Sequence, residues 1–329
     1  MAKSKRAKKT TGAQRAARTA DARQKITNKF IEAITDAIKN GTALPWRKPW
    51  TSEGCALHPF NGVSKRRYRG INVFLLAMEG YSSPEWFTYN QVAGMKRTGK
   101  DEDGKPTGPH VRKGEKSTTI VLWKLFKKTK TNDAGDEETD QFWTMKTYRV
   151  FNREQCDGFP EEVKEATGAE APKVVLNNEL ALALRDASEC PISHRGGRAF
   201  YRPSTDRITL PKVEKFDDER AYYATLFHEM AHSTGHKSRL DRDLTGSGSK
   251  EKYAAEELVA ELSAAFLCAE VGVEQAGQPD ENHTAYLRSW LKALKDDTKL
   301  ILRAAGKAQR ASDRILGTVA VQEQQAAAK

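Results

Sequence analysis

Cysteine is scarce and scattered. Cys55, Cys156, Cys190 and Cys268 form no Cys-x-x-Cys pair, which excludes a disulfide framework and a thiolate zinc knuckle. Long apolar runs are absent too. Nothing in the 329 residues approaches the roughly 20 consecutive apolar residues that would span a bilayer, so no membrane partner is expected. The N-terminus lacks the apolar stretch of a secretory signal, so the expected location is cytoplasmic. No internal repeat is found.

Acidic residues are outnumbered, 44 against 55 basic ones, for a formal net charge of +11. Part of the excess is at the start: Lys3, Lys5, Arg6, Lys8, Lys9, Arg15, Arg18, Arg23, Lys25 and Lys29 face only Asp21 in the first 29 residues. Residues 1–24 have no large apolar side chain after Met1 and are expected to be a disordered basic tail that attracts polyanions.

The remainder divides into two halves of different character, so an α+β protein of two domains is expected. Residues 25–157 form the first. Ile26, Phe30, Ile34 and Ile38 recur at helical spacing before Asn40-Gly41. A second helix is read over Ile71–Met78, and strands over Trp86–Tyr89, Thr118–Phe126 and Phe142–Asn152. The polar insert Lys127–Asp140 reads as a long hairpin loop. Residues 158–172, with Gly158, Pro160 and Gly168, read as a linker. Residues 173–329 form the second domain, with a helix at Asn178–Asp186 and a hairpin from Arg198–Tyr201 and Arg207–Leu210.

The most informative segment is His228-Glu229-Met230-Ala231-His232, inside a helix expected from Asp217 to Gly235. Histidines at i and i+4 project from one face and can share a zinc ion, and Glu229 can take a proton from a water activated there. A catalytic zinc needs a third protein ligand. The metzincin spacing would place a histidine where Ser238 stands, while Gly235 fits that pattern and the direction of His236 is open. A second expected helix, Glu251–Val271, carries Glu257 and Glu261 one turn apart beside an apolar stripe of Leu258, Leu262, Ala265, Phe266 and Ala269. Carboxylates beside a buried stripe need a compensating partner. Glu257 is favoured as the third, gluzincin-like ligand, with Glu261 orienting a ligand histidine; the reverse assignment stays open. Tyr201 or Tyr253 can donate to a developing oxyanion, although tyrosines in such positions are more often structural.

Five of the six tryptophans, Trp46, Trp50, Trp86, Trp123 and Trp143, fall in the first half among many cations. Single-stranded nucleic acid suits this mixture, since bases stack on aromatic faces while cations follow the backbone. The favoured contacts are Arg66, Arg67, Tyr68, Arg69, Trp86, Lys96, Arg112, Lys113, Lys116 and Trp123. Lys65–Gly70, just ahead of a helix, reads as a phosphate seat.

Five stretches together resemble the ArdC-type antirestriction proteins of conjugative plasmids, a family related to the N-terminal part of TraC-type plasmid primases. They are Tyr68–Asn72, Val111–Lys116, Phe200–Ile208, Phe227–His236 and Glu256–Leu262. The resemblance implies a single-stranded DNA-binding domain and a zincin-like metallopeptidase domain holding Zn2+ or another divalent ion such as Mn2+. It also implies protection of incoming plasmid DNA during conjugation. A protein substrate is a further open partner. Since the chain ends at Lys329, no primase domain is expected. Two other functions compete: a DNA-associated metalloprotease, and a non-enzymatic DNA-binding module with a structural metal.

Overall fold

A computed structural model describes residues 12–42, 44, 46, 58–95, 99–100, 106–131, 137–159, 178–244, 249–273 and 281–327. The expected linker therefore lies largely outside the described residues, as does Lys96. The helices among the described residues are α1 (Gly12–Asn40), α2 (Ile71–Ala77), α3 (Tyr89–Ala93), α4 (Glu179–Asp186), α5 (Glu219–Ser233), α6 (Lys250–Glu270), α7 (Glu281–Asp296) and α8 (Leu300–Ala327). The strands are β1 (Phe60–Asn61), β2 (Glu85–Phe87), β3 (Gly99–Lys100), β4 (Pro106–Thr107), β5 (His110–Val111), β6 (Thr118–Thr131), β7 (Glu137–Asn152), β8 (Cys156–Asp157), β9 (Ile192–His194), β10 (Phe200–Arg202) and β11 (Arg207–Leu210).

Two expectations are corrected here. The tail is helical from Gly12 onward, because residues 12–25 are rich in alanine, arginine and glutamine, which favour helix. Ile26, Phe30, Ile34 and Ala37 then bury one face of α1. Gly41, at φ +62°, ends it, and the Thr42 N–H closes the last turn on the Ala37 carbonyl at 3.1 Å. The polar insert after Phe126 is mostly strand: β6 and β7 pair antiparallel from Thr118↔Val150 to Thr131↔Glu137.

In the first half, the sheet has the order β1-β2-β7-β6. Asn72 of α2 acts as an extra strand residue for β6, donating to the Val121 carbonyl and accepting from the Val121 N–H, both at 2.7 Å. The second half has a three-stranded sheet, β10-β11-β9. Its Ile208 and Leu210 pack on Tyr222, Tyr223, Leu226 and Phe227 of α5.

The halves share their largest core. It joins α1, α2 and the root of the β6–β7 ribbon to α6, α7 and α8. An aromatic chain crosses it, from Phe30 to Trp46 at 5.4 Å, on to Phe74 at 6.4 Å, and from Phe74 to Phe266 of α6 at 4.6 Å. Helix α6 is buried on every side from Glu256 to Ala269, which draws its carboxylates inside. No described helix is long and apolar enough to cross a membrane.

Candidate metal centre and candidate nucleic-acid interface

Helix α5 starts on Asp218, whose carboxylate accepts the Ala221 N–H at 2.8 Å. Its aromatic face enters the core, so the face carrying His228 and His232 meets α6. The Nε2 atoms of His228 and His232 are 3.1 Å apart. Glu257 presents Oε2 at 3.4 Å from His228 Nε2 and Oε1 at 3.5 Å from His232 Nε2. Ligand atoms at about 2.0–2.1 Å from a tetrahedral zinc stand roughly 3.3–3.4 Å apart. Two imidazoles and a carboxylate at these separations fit a divalent ion with one position left open. The His228 side chain keeps 25 % exposure, which opens the site to solvent on its side.

Glu261 is buried on the same helix but stays outside the group of three donors. The neighbour of His232 on its other side is Glu256, whose Oε1 is 3.4 Å from His232 Nδ1. Arg242 grips Glu256 through Nη2 at 2.8 Å and Nε at 3.1 Å. The same guanidinium donates to Thr234 Oγ1 and to the Ala231 carbonyl, each at 2.7 Å, and so ties α6 to the end of α5. Sequence reasoning missed Glu256 and Arg242. The sign that could have found Glu256 is the lack of any solvent-facing side on α6 between Leu258 and Ala269.

Electrostatically the site demands positive charge. Burial alone would lower His232, yet hydrogen bonds to Glu256 and Glu257, with Glu229 close by, outweigh it and push the imidazole up to about 10. Burial would likewise raise Glu257; hydrogen bonds from His228 and His232 hold it well below the usual carboxylate range. Glu256 is lowered despite its burial by His232 and Arg242. A cation delivered by metal would take the place of that proton. Glu229 is itself buried, at 7 % exposure.

The loop after α5 explains Gly235. A Cβ at Gly235 would lie 2.4 Å from the Leu244 side chain, so the glycine permits close packing. His236 turns its Nδ1 to the Ser238 hydroxyl at 2.8 Å. The Tyr201 hydroxyl donates to Asp206 at 2.7 Å and also meets Arg239, while Tyr253 is an exposed residue of α6.

Half of the nucleic-acid contacts chosen from the sequence are engaged within the protein. Trp86, at 2 % exposure, packs with Leu76, Ile120 and Val150, so its face cannot stack on a base. Tyr68 is half-buried against that cluster. The expected phosphate seat is a junction between the halves. Arg67 pairs with Glu270 at 3.1 Å, Arg69 with Asp313, and the Gly70 N–H donates to Gln309 at 2.9 Å. Lys65 pairs with Glu85 at 2.7 Å. Arg112 is held by Glu115 and Asp157. Arg66, Lys113, Lys116 and Trp123 are exposed. Trp143, absent from the favoured set, is the most exposed of the described tryptophans at 64 %.

Comparisons with known proteins follow the same division. Residues 20–151 match the family model of the N-terminal domain of anti-restriction factor ArdC, and residues 179–307 match that of a zincin-like metallopeptidase. Two DNA primases named TraC from Escherichia coli are 39% and 38% identical over 302 and 314 residues, covering 87% and 90% of this chain. The chain spans only 19% and 27% of those relatives. A protein of Sinorhizobium fredii, y4eC, whose function is not characterised, is 35% identical, with 89% of this chain and 91% of that one aligned. The metal-free crystal structure of the antirestriction protein ArdC from plasmid R388 superposes with a TM-score of 0.69 at 37% identity, over 91% of this chain and 98% of that one. Its Mn(II)-bound form gives 0.66 at 36%, with the same coverage.

Proposed function

The chain belongs to the family of ArdC-type antirestriction proteins, and from that premise we propose that it binds single-stranded DNA and protects plasmid DNA entering a recipient cytoplasm by conjugation. The observation that carries this reading is the joining, in one chain and around one core, of an ArdC-type N-terminal half and a zincin-like half with a three-donor site. Binding of fluorescent single-stranded and duplex oligonucleotides across a salt series tests it. Salt-sensitive preference for single strands is expected, because each neutralised phosphate releases counterions. Equal affinity for duplex, or none for either, would overturn it.

His228, His232 and Glu257 would hold the ion, zinc or manganese, and Arg242 with Glu256 would fix the His232 ring. A bound divalent ion supplies Lewis acidity at its open position. A second reading, a DNA-associated metalloprotease, is favoured by Glu229, which is buried beside the donors. In that role its carboxylate accepts the proton of the attacking water and delivers it to the leaving amine. Glu229→Gln is expected to keep the metal and lose any proteolysis by about 10²–10⁴-fold. Undiminished cleavage by that variant would remove Glu229 from the chemistry.

Metal should also stabilise the fold. At a concentration one hundred times the dissociation constant the gain is about 2.7 kcal/mol. A melt with and without chelator therefore separates a site that binds from one that does not.

A further inference from the structure

Beyond its root, the β6–β7 ribbon carries apolar side chains into solvent on both faces. At the root, Val121 and Met145 enter the shared core while Ile120 and Val150 enter the cluster around Trp86. Tyr148, opposite Ile120 within the root, is exposed, and so are Leu122, Trp123, Leu125, Phe126 and Trp143 further along. An exposed apolar patch of this kind on a folded chain calls for a partner.

The register arranges them. Trp123 is opposite Met145 and Leu125 is opposite Trp143, so the two tryptophans are diagonal neighbours on one face, with Cα atoms about 7–8 Å apart by the geometry of such pairs. On the other face, Lys146 lies over the Phe126 ring at 5.3 Å. Charge follows the same pattern. Neither Lys116–Thr131 nor Gln141–Asn152 contains an aspartate or a glutamate, whereas they hold Lys124, Lys146 and Arg149 among other cations. This contrasts with Lys65, Arg67, Arg69 and Arg112, which are paired with carboxylates.

We propose that this ribbon is the element that reads single-stranded nucleic acid, with bases stacked on Trp123 and Trp143 on one face and the phosphates following the edge of the ribbon to Arg149 on that face and to Lys124 and Lys146 on the opposite one. The inference rests on the single-strand-binding reading above and gives it a place in the fold. Exposed aromatic faces beside cations suit unpaired bases, while a duplex keeps its bases stacked inside. A second copy of the chain would bring its own cationic ribbon against this one, at an electrostatic cost.

The test compares the full-length protein with the Trp123→Ala/Trp143→Ala and Lys124→Ala/Lys146→Ala variants, using fluorescent oligothymidine in a salt series and sedimentation velocity. All four positions are exposed, so the melting temperature should hold. The tryptophan pair should weaken binding by about 5- to 150-fold for each ring removed. The lysine pair should flatten the salt slope by about 0.7 per lysine. If the unaltered protein binds no single strands, the reading of function fails. If it binds and the tryptophan variant binds equally well, the ribbon assignment alone fails. A tryptophan variant that changes only the oligomeric state would also overturn the assignment, making the ribbon a self-association surface.

Discussion

Phe74→Ala is expected to lower stability by about 3–5 kcal/mol, the range for emptying a fully buried aromatic site. Phe74 is in α2, in the first half of the sequence, yet its ring lies 4.6 Å from Phe266 on the helix that also carries Glu257. It is 1 % exposed and meets Trp46 edge-on. Loss of this ring removes contacts from both halves at once. Urea unfolding followed by circular dichroism and by tryptophan fluorescence should therefore show one coincident transition for the variant and for the unaltered chain, displaced to lower urea in the variant. Two separated transitions, with only the first half destabilised, would mean that the shared core does not couple them.

Arg242→Met should cost a similar amount for a different reason. Removing one partner of a buried ion pair leaves the other uncompensated, typically at about 3–5 kcal/mol. Here Glu256 would remain beside Glu257 with its guanidinium gone, and two hydrogen bonds at the end of α5 would go with it. Metal affinity should fall as well, since groups that orient a ligand histidine are typically worth about 10–100-fold. Glu256→Gln separates the effects. It keeps the side-chain volume and the contact with Arg242 while weakening the hold on His232, so it should reduce metal affinity with a smaller loss of melting temperature. Calorimetric titration beside thermal melts checks both variants.

Much of the fold was legible because local chemistry and tertiary structure agree. The helix bearing His228 and His232 has an acidic start and a glycine at its end, and the hairpin of Phe200–Arg202 and Arg207–Leu210 turns through Pro203-Ser204-Thr205-Asp206. The family resemblance and the two-half, mixed helix and strand architecture were legible as well. Other features depend on partners distant in sequence. Trp86 looks like a stacking platform until Leu76 and Val150 close over it. Arg67 and Arg69 look available until Glu270 and Asp313, 203 and 244 residues later, arrive beside them. The choice between Glu257 and Glu261 could not be made from their spacing, because both are buried on a helix without a solvent side. Only the approach of α5 brings Glu257 to the histidines and Glu256 behind His232. Helical alanine-rich sequence before Ile26 was hidden by its charge, which reads as disorder when no packing partner is in view.

The central claim, that His228, His232 and Glu257 form one divalent-metal site, is tested most directly by calorimetric titration of Mn2+ and Zn2+ into chelator-treated full-length protein, beside Glu257→Gln and Glu229→Gln. One ion per chain should bind to the unaltered protein and to Glu229→Gln, and saturable binding should be lost in Glu257→Gln while its fold persists by circular dichroism. Binding that survives in Glu257→Gln unchanged, or no saturable binding in the unaltered protein, would contradict the site.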